Sequence, residues 1–517
     1  MNFRAPLLPA LTFLLLTGIA ALAAGGNNKR LQLHPRNPHY FLFRGKPTVL
    51  ITSAEHYGAV LNLDFDYVKY LDTLAKDGLN LTRTFAGAYC EPSGAFNIAS
   101  NTLAPSPNRF ICPWARGDRP GYANGGNKFD LTKWDEAYFK RLKDFVAQAN
   151  KRAIVVELNL FCPMYEESQW RLSPQNSINN VNGIGAIART NVYTLDRSGG
   201  LLAVQDAMVR KIVTELNSFD NVYYEICNEP YFGGVTMDWQ HHIADVIVET
   251  ERGLVGPRSK KPTPDSSQEG NKTSAPSREL PSSGGVGGGL AEASGLHLIS
   301  QNIANNKAKV ANPHPAVSIF NFHYASPPET VAMNYDLNKV IGDNETGFRG
   351  TNDLPYRVEA WSFILAGGGL FNHLDYSFTV RHENGTFVYP PKQPGGGNPV
   401  FRRQMKILHQ FIRGFDFVKM KPLNSALNAP VGGGARAYVL AKSNKAYAVY
   451  VAPTSDKPAP REAVVSLAVP EGTYRAEWID PMTGKVEKRE TVKSAKGTVV
   501  LTSPLHQEDI ALKLMKK

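Results

Sequence analysis

The sequence predicts an α/β protein: a (β/α)8 barrel followed by a small C-terminal antiparallel β-sandwich. Three observations carry this reading. From residue 38 to 420, short β-branched or apolar runs alternate with amphipathic helical stretches, the pattern of a parallel sheet built from β-α units. Eight such runs occur, the number that closes a barrel. Beyond residue 424 the pattern changes to short alternating strands separated by turn signals. A chain of 517 residues also exceeds the ~250–300 that one hydrophobic core usually supports.

The eight runs are Val49–Ile51, Leu79–Thr84, Ile154–Leu160, Val222–Ile226, His297–Gln301, Val317–Phe322, Val340–Gly342 and Leu370–Leu374. Helices between them are legible. After Asp64, an N-cap candidate, Tyr67, Leu71 and Leu74 fall on one face before Gly78 stops the segment. Trp134, Tyr138, Leu142 and Phe145 repeat the spacing, and such stripes are core packing against a sheet. No G-x-G-x-x-G follows the first run, which argues against dinucleotide binding. In the C-terminal part the strands are expected at 435–440, 446–451, 463–469, 474–478, 498–501 and 510–514.

Other features bound the function classes. Arg4, an apolar run over 11–20 and Ala21-Leu22-Ala23 have the layout of a secretory signal peptide, assigned to residues 1–24. The run is short for a bilayer span, so the expected product is secreted or periplasmic, with no membrane association after signal removal. The stretch 253–289, rich in Pro, Ser, Lys and Gly, is expected to be a disordered insertion in the barrel, and 424–517 to form the accessory sandwich. Cys90, Cys112, Cys162 and Cys227 allow disulfides in an oxidising compartment or serve as small buried hydrophobes. They form no C-x-x-C and no zinc spacing, so no metal and no cofactor is expected. The net charge of +11 is spread along the chain without the basic, aromatic-interleaved face of a nucleic-acid binder. Nothing in the sequence defines an oligomeric state.

In a (β/α)8 barrel, chemistry sits where strands end and βα loops begin. The fourth run ends in Asn228-Glu229-Pro230 and the seventh in Asp343-Asn344-Glu345. Strands four and seven face each other across a barrel mouth, so Glu229 and Glu345 can supply the two carboxyl groups that cleave a glycosidic bond with retention, one protonated and one ionised. Asn228 would hydrogen-bond the sugar 2-hydroxyl. Aromatic residues are frequent in the loops around the mouth, Tyr89, Trp114, Tyr122, Tyr165, Trp170, Tyr231, Phe232 and Trp239 among them, and sugar C–H faces stack on such rings. His56, at the end of strand one, is a further hydroxyl-binding candidate. The long loop 89–128 is expected to wall off one end of the cleft.

With Arg83 ending strand two and His323-Tyr324 ending strand six, these motifs resemble clan A glycoside hydrolases, cellulase-like family 5 and its relatives above all. The resemblance covers residues 38–420. It implies Glu229 as acid/base, Glu345 as nucleophile, Arg83 and Tyr324 as partners of the nucleophile, and His323 lining the sugar site. Strand eight, Phe371 to Tyr376, lacks the Trp that many members place there, so no particular substrate follows. The expected activity is that of a secreted retaining glycosidase acting on plant or microbial poly- or oligosaccharide. Two alternatives stand beside it: a carbohydrate-binding barrel without catalysis, and a metal-dependent barrel hydrolase using the strand-end histidines His56, His323 and His373.

Overall fold

The computed structural model describes residues 30–255, 295–432 and 434–517. The expected signal peptide, and all but the first three residues of the expected insertion, lie outside the described residues.

Eight parallel strands form one sheet: β1 (Leu50–Ala54), β2 (Leu81–Phe85), β3 (Val155–Phe161), β4 (Val222–Cys227), β5 (Ile299–Asn305), β6 (Val317–His323), β7 (Val340–Glu345) and β8 (Leu370–Leu374). Each corresponds to one of the eight expected runs. The hydrogen-bonded order is β1-β8-β7-β6-β5-β4-β3-β2. Between β1 and β2 no regular ladder forms, and Asn80 closes the seam: its side chain accepts from the Ile51 N–H at 2.9 Å and donates to the Val49 carbonyl at 2.9 Å. The barrel is thus a TIM barrel with one side-chain-stitched joint.

Outside it lie α1 (Tyr67–Lys76), α2 (Glu136–Lys151), α3 (Leu201–Leu216), α4 (Met237–Val255), the short α5 (Glu329–Asn334), α6 (Asp353–Leu365) and α7 (Pro399–Arg413). The cap of α1 is Asp66, which accepts from the N–H groups of Val68 and Lys69. Asp64, the residue expected there, pairs with Arg109 instead at 2.6 Å. β5 and β6 are joined directly by a loop with no helix, so the fifth unit lacks one.

A three-stranded sheet, Gln32–Leu33, Phe41–Phe43 and Lys46–Thr48, plugs the N-terminal end of the barrel. Leu31, Leu33, Phe41 and Phe43 pack there against the first residues of the strands, including Leu50, Leu81, Val155 and Leu370. Higher up the interior is polar: Arg83, Glu157, Glu225, Asn321 and Asn344 are all buried. Asn321 and Asn344 each donate to both Glu157 and Glu225, so the carboxyl pair is cross-linked beneath the mouth. Burial pushes the Glu157 carboxyl well above its ordinary range, and the neighbouring Glu225 charge adds to it.

The C-terminal part holds a six-stranded antiparallel sheet and a two-stranded one, 464–468 with 498–502, around a second core centred on Val449, Trp478 and Leu512. One of its edge strands, Val486–Ser494, carries alternating charges and was not among the expected runs. The sandwich rests on α6. Arg357 meets Asp509 with three hydrogen bonds, Nη2 to Oδ1 at 2.8 Å and a forked pair from Nε to Oδ2 at 3.0 Å and Oδ1 at 3.1 Å, and Trp361 stacks on Tyr450 at 5.3 Å.

Candidate active site

At the C-terminal end of the barrel a cavity of about 270 Å³ is lined by Glu229, Glu345, Asn228, Tyr324 and His56, five of the residues singled out from the sequence. Glu229 follows β4 directly and Glu345 ends β7. One carboxylate oxygen of each, together with a ring nitrogen of His323, lies within 4.8 Å of the others. Glu229 has φ 36°, Tyr57 φ 59° and Tyr324 φ 54°. All three are side chains in the left-handed region that costs L-residues energy, a cost the packed strand ends must offset.

Glu345 is surrounded by donors. Tyr57 donates to Oε2 at 2.9 Å, Arg83 Nη1 to Oε2 at 3.3 Å and Tyr324 to Oε1 at 2.8 Å. Arg83 itself is fully buried and also binds Glu225 and the Asn228 Oδ1 at 2.7 Å. One guanidinium therefore serves carboxylates from two strands and orients the Asn beside Glu229. Asn228 passes the constraint on by donating to the Tyr165 hydroxyl at 2.8 Å.

Glu229 sits among three further donors: Tyr165 at 2.6 Å, Tyr231 at 3.2 Å and His323 Nδ1 at 3.2 Å. Burial raises its pKa, but the hydrogen bond and charge of His323 and the two tyrosine hydroxyls outweigh that and hold the carboxyl below its usual range. His323 also lies 3.6 Å from Glu345 Oε1, so its Nδ1 bridges the two carboxyl groups. His56 is held neutral, lowered to about 3 first by burial and then by the Arg83 charge, which leaves its ring able to donate and to accept.

Glu229, His323 and Glu345 make a cluster that could in outline embrace a metal ion. The donor set does not fit one. Both Glu345 oxygens are already occupied by hydroxyl or guanidinium donors, and the permanently charged Arg83 touches the same carboxylate.

Trp170 is not brought to the cavity. It is buried at the end of a one-turn helix, Glu167–Trp170, after β3, and its indole N–H donates to the Ile187 carbonyl at 3.2 Å. Strand-end histidine His373 is also internal, 3.0 Å from the Ser53 hydroxyl. The four cysteines are free, buried thiols. Sequence reasoning missed Tyr57, Glu91, Phe96, Asn305 and Phe348, which line the cavity. Tyr57 had a signal, since it follows Glu55-His56 at the end of β1. Asn305 ends β5, four residues past the expected run, and Glu91, Phe96 and Phe348 lie in connections whose path no periodicity reveals.

Fold and site together define the class: a glycoside hydrolase with a cellulase-like barrel. Residues 109–252 match the family model of cellulase (glycosyl hydrolase family 5), a segment that includes Asn228-Glu229-Pro230 and stops before Glu345. Among solved structures the chain is similar to a glycoside hydrolase family 5 from Bacteroides vulgatus ATCC 8482. That pair is 13% identical, covers 95% of this chain and 94% of the other, and has a TM-score of 0.57. It is similar also to a structure described as a glycoside hydrolase, at 13% identity, 95% and 97% coverage and a TM-score of 0.59. No curated protein matches the chain.

Proposed function

We propose that the protein is a secreted or periplasmic retaining glycosidase of plant or microbial poly- or oligosaccharide, with Glu345 as nucleophile and Glu229 as general acid/base. The observation that carries this is the approach of the two carboxyl groups, with oxygens within 4.8 Å. Retaining enzymes hold the pair ~5–5.5 Å apart, whereas inverting ones leave ~6.5–9.5 Å for a water.

The roles follow from the surroundings. Glu345 faces Arg83, Tyr57 and Tyr324, a set of donors that favours a carboxylate ready to attack the anomeric carbon. Attack forms a glycosyl ester on Glu345 and breaks the bond to the leaving oxygen, which takes a proton from Glu229. In the second half Glu229 removes a proton from water, and the water oxygen displaces Glu345. Glu229 carries a proton into the first half, and His323 Nδ1 lies beside it at 3.2 Å. No helix among the described residues is long and apolar enough to cross a membrane. Export rests on residues 1–24.

The test is Glu345→Ala assayed with an aryl glycoside and azide. The expected result is loss of turnover without azide, and with azide a glycosyl azide of inverted anomeric configuration. Wild-type rates in the variant would overturn the assignment.

A further inference from the structure

Resting on the retaining-glycosidase reading, the geometry assigns a further substrate-binding residue. We propose that Glu91 closes the glycone end of the cavity and accepts hydrogen bonds from two hydroxyls of a terminal sugar ring. The enzyme then removes single sugars from non-reducing chain ends.

Glu91 belongs to the long loop after β2 and lines the same cavity as Glu229 and Glu345. It is 5% exposed, and among the described residues no cation lies against it. Its protein partners are the Tyr89 hydroxyl, donating to Oε1 at 3.1 Å, and the Asn101 amide, donating to Oε2. A carboxylate offers about four acceptor positions. Each Glu91 oxygen therefore keeps a lone pair, and the cavity is where these can be used. Burial raises the carboxyl to about 7, with hydrogen bonds opposing and the Glu345 charge adding to the rise. A buried acid of this kind gains most from hydroxyl donors that arrive with the substrate.

Its position defines the direction. The Glu91 loop is tied through Thr102 to Glu55 and the His56 carbonyl at the end of β1, and the adjoining Tyr57 donates to Glu345 Oε2 at 2.9 Å, so Glu91 lies on the Glu345 side of the cavity. The ring that becomes esterified to Glu345 is the one on the non-reducing side of the cleaved bond. What stands beyond that ring decides whether a chain can continue.

What stands there is a loop tied down at many points. The Glu91 N–H donates to the Leu103 carbonyl at 2.8 Å, and Thr102 donates to Glu55 at 2.6 Å and to the His56 carbonyl at 2.7 Å. Gly58 allows the contact: a Cβ there would lie 2.2 Å from the Thr102 carbonyl oxygen. Across the mouth the Ala99 N–H donates to Gln393 at 3.1 Å, joining the loop to the one after β8. Phe96, on the same loop, meets Tyr165 edge-on at 5.6 Å. The cavity of about 270 Å³ is below the ~300–1,000 Å³ of pockets for drug-sized ligands, a size on the scale of one sugar ring.

The experiment has two arms. Wild type, Glu91→Gln and Glu91→Asp are assayed on a panel of aryl glycosides, and then on singly deoxygenated forms of the best one. Wild type is expected to lose about 10- to 100-fold in kcat/KM on removal of either of two glycone hydroxyls. Glu91→Gln should lose a similar factor on the intact substrate and little more on the deoxy forms. Equal sensitivity of wild type and variants to deoxygenation overturns the proposal. Glu91→Asp, which keeps the charge one methylene short, serves if the Gln variant does not fold. In the second arm, which needs no variant, wild type acts on reducing-end-labelled oligosaccharides. Products shortened one sugar at a time support the proposal, and internal fragments at early times overturn it. A wild type inert on every glycoside would overturn the glycosidase reading itself, and this proposal with it.

Discussion

The chemistry of the site is divided between two glutamates by their neighbours. In the proposed mechanism, Glu229→Gln removes the proton donor and leaves the nucleophile in place. Turnover of substrates with poor leaving groups is expected to fall ~10²–10⁴-fold, while aryl glycosides with acidic phenols should keep most of their first-step rate. Steady-state and burst kinetics on a phenol series would show this as a steepened leaving-group dependence. His323 supplies the second residue-scale prediction. Burial alone would raise the Glu229 carboxyl, and His323 is the leading counterweight. His323→Asn removes its charge, so the Glu229 pKa should rise. Because the basic limb of kcat/KM reports loss of the acid's proton, that limb should move to higher pH. A limb that stays put or moves down would show that His323 does not control Glu229.

At the scale of elements, the barrel has one joint without a ladder, and Asn80 holds it. Asn80→Ala leaves the Ile51 N–H and Val49 carbonyl without their partner. The cost should be about 1–3 kcal/mol in urea unfolding, with little change in kcat, because the joint lies at the opposite end of β1 from the cavity. The strands themselves were legible because parallel strands buried on both faces read as short apolar runs. So was the site at strand ends: Glu229, Glu345, Asn228, Arg83, His323 and Tyr324 meet within one hydrogen-bonded cluster. Less legible were elements whose partners are distant. The plug 32–48 consists of two- and three-residue strands, too short for a period to register. The hairpin Trp114–Pro120 with Asn127–Trp134 lies inside a Pro- and Gly-rich stretch that reads as loop. Strand Val486–Ser494 alternates charge on an edge, where Lys and Glu discourage pairing with other chains and also hide the strand from hydrophobicity. Trp170 misled for a related reason: an aromatic in a loop after a catalytic strand is equally suited to pinning that loop.

At the scale of the molecule, barrel and sandwich share charges as well as surface. Arg357 on α6 is buried and satisfied by Asp509, Glu508 and the side-chain Oε1 of Gln404, while Tyr450 donates to the same Asp509 at 2.6 Å. Breaking a buried pair by removing one partner typically costs 3–5 kcal/mol. Asp509→Ala should therefore destabilise the protein by about that amount, and Arg357→Met with Asp509→Leu should recover part of it; thermal unfolding of the three variants checks the cycle. The same helix reaches the catalytic end, since Glu359 accepts from the Thr346 hydroxyl at 2.9 Å, one residue after Glu345. For gene fusion this has a practical meaning. A chimaera spliced near residue 423 would inherit every cavity residue and still be faulty, with a stranded guanidinium on the helix behind its nucleophile. The smallest exchangeable module is the barrel with its own sandwich, and a recombination junction belongs at the ends of the chain.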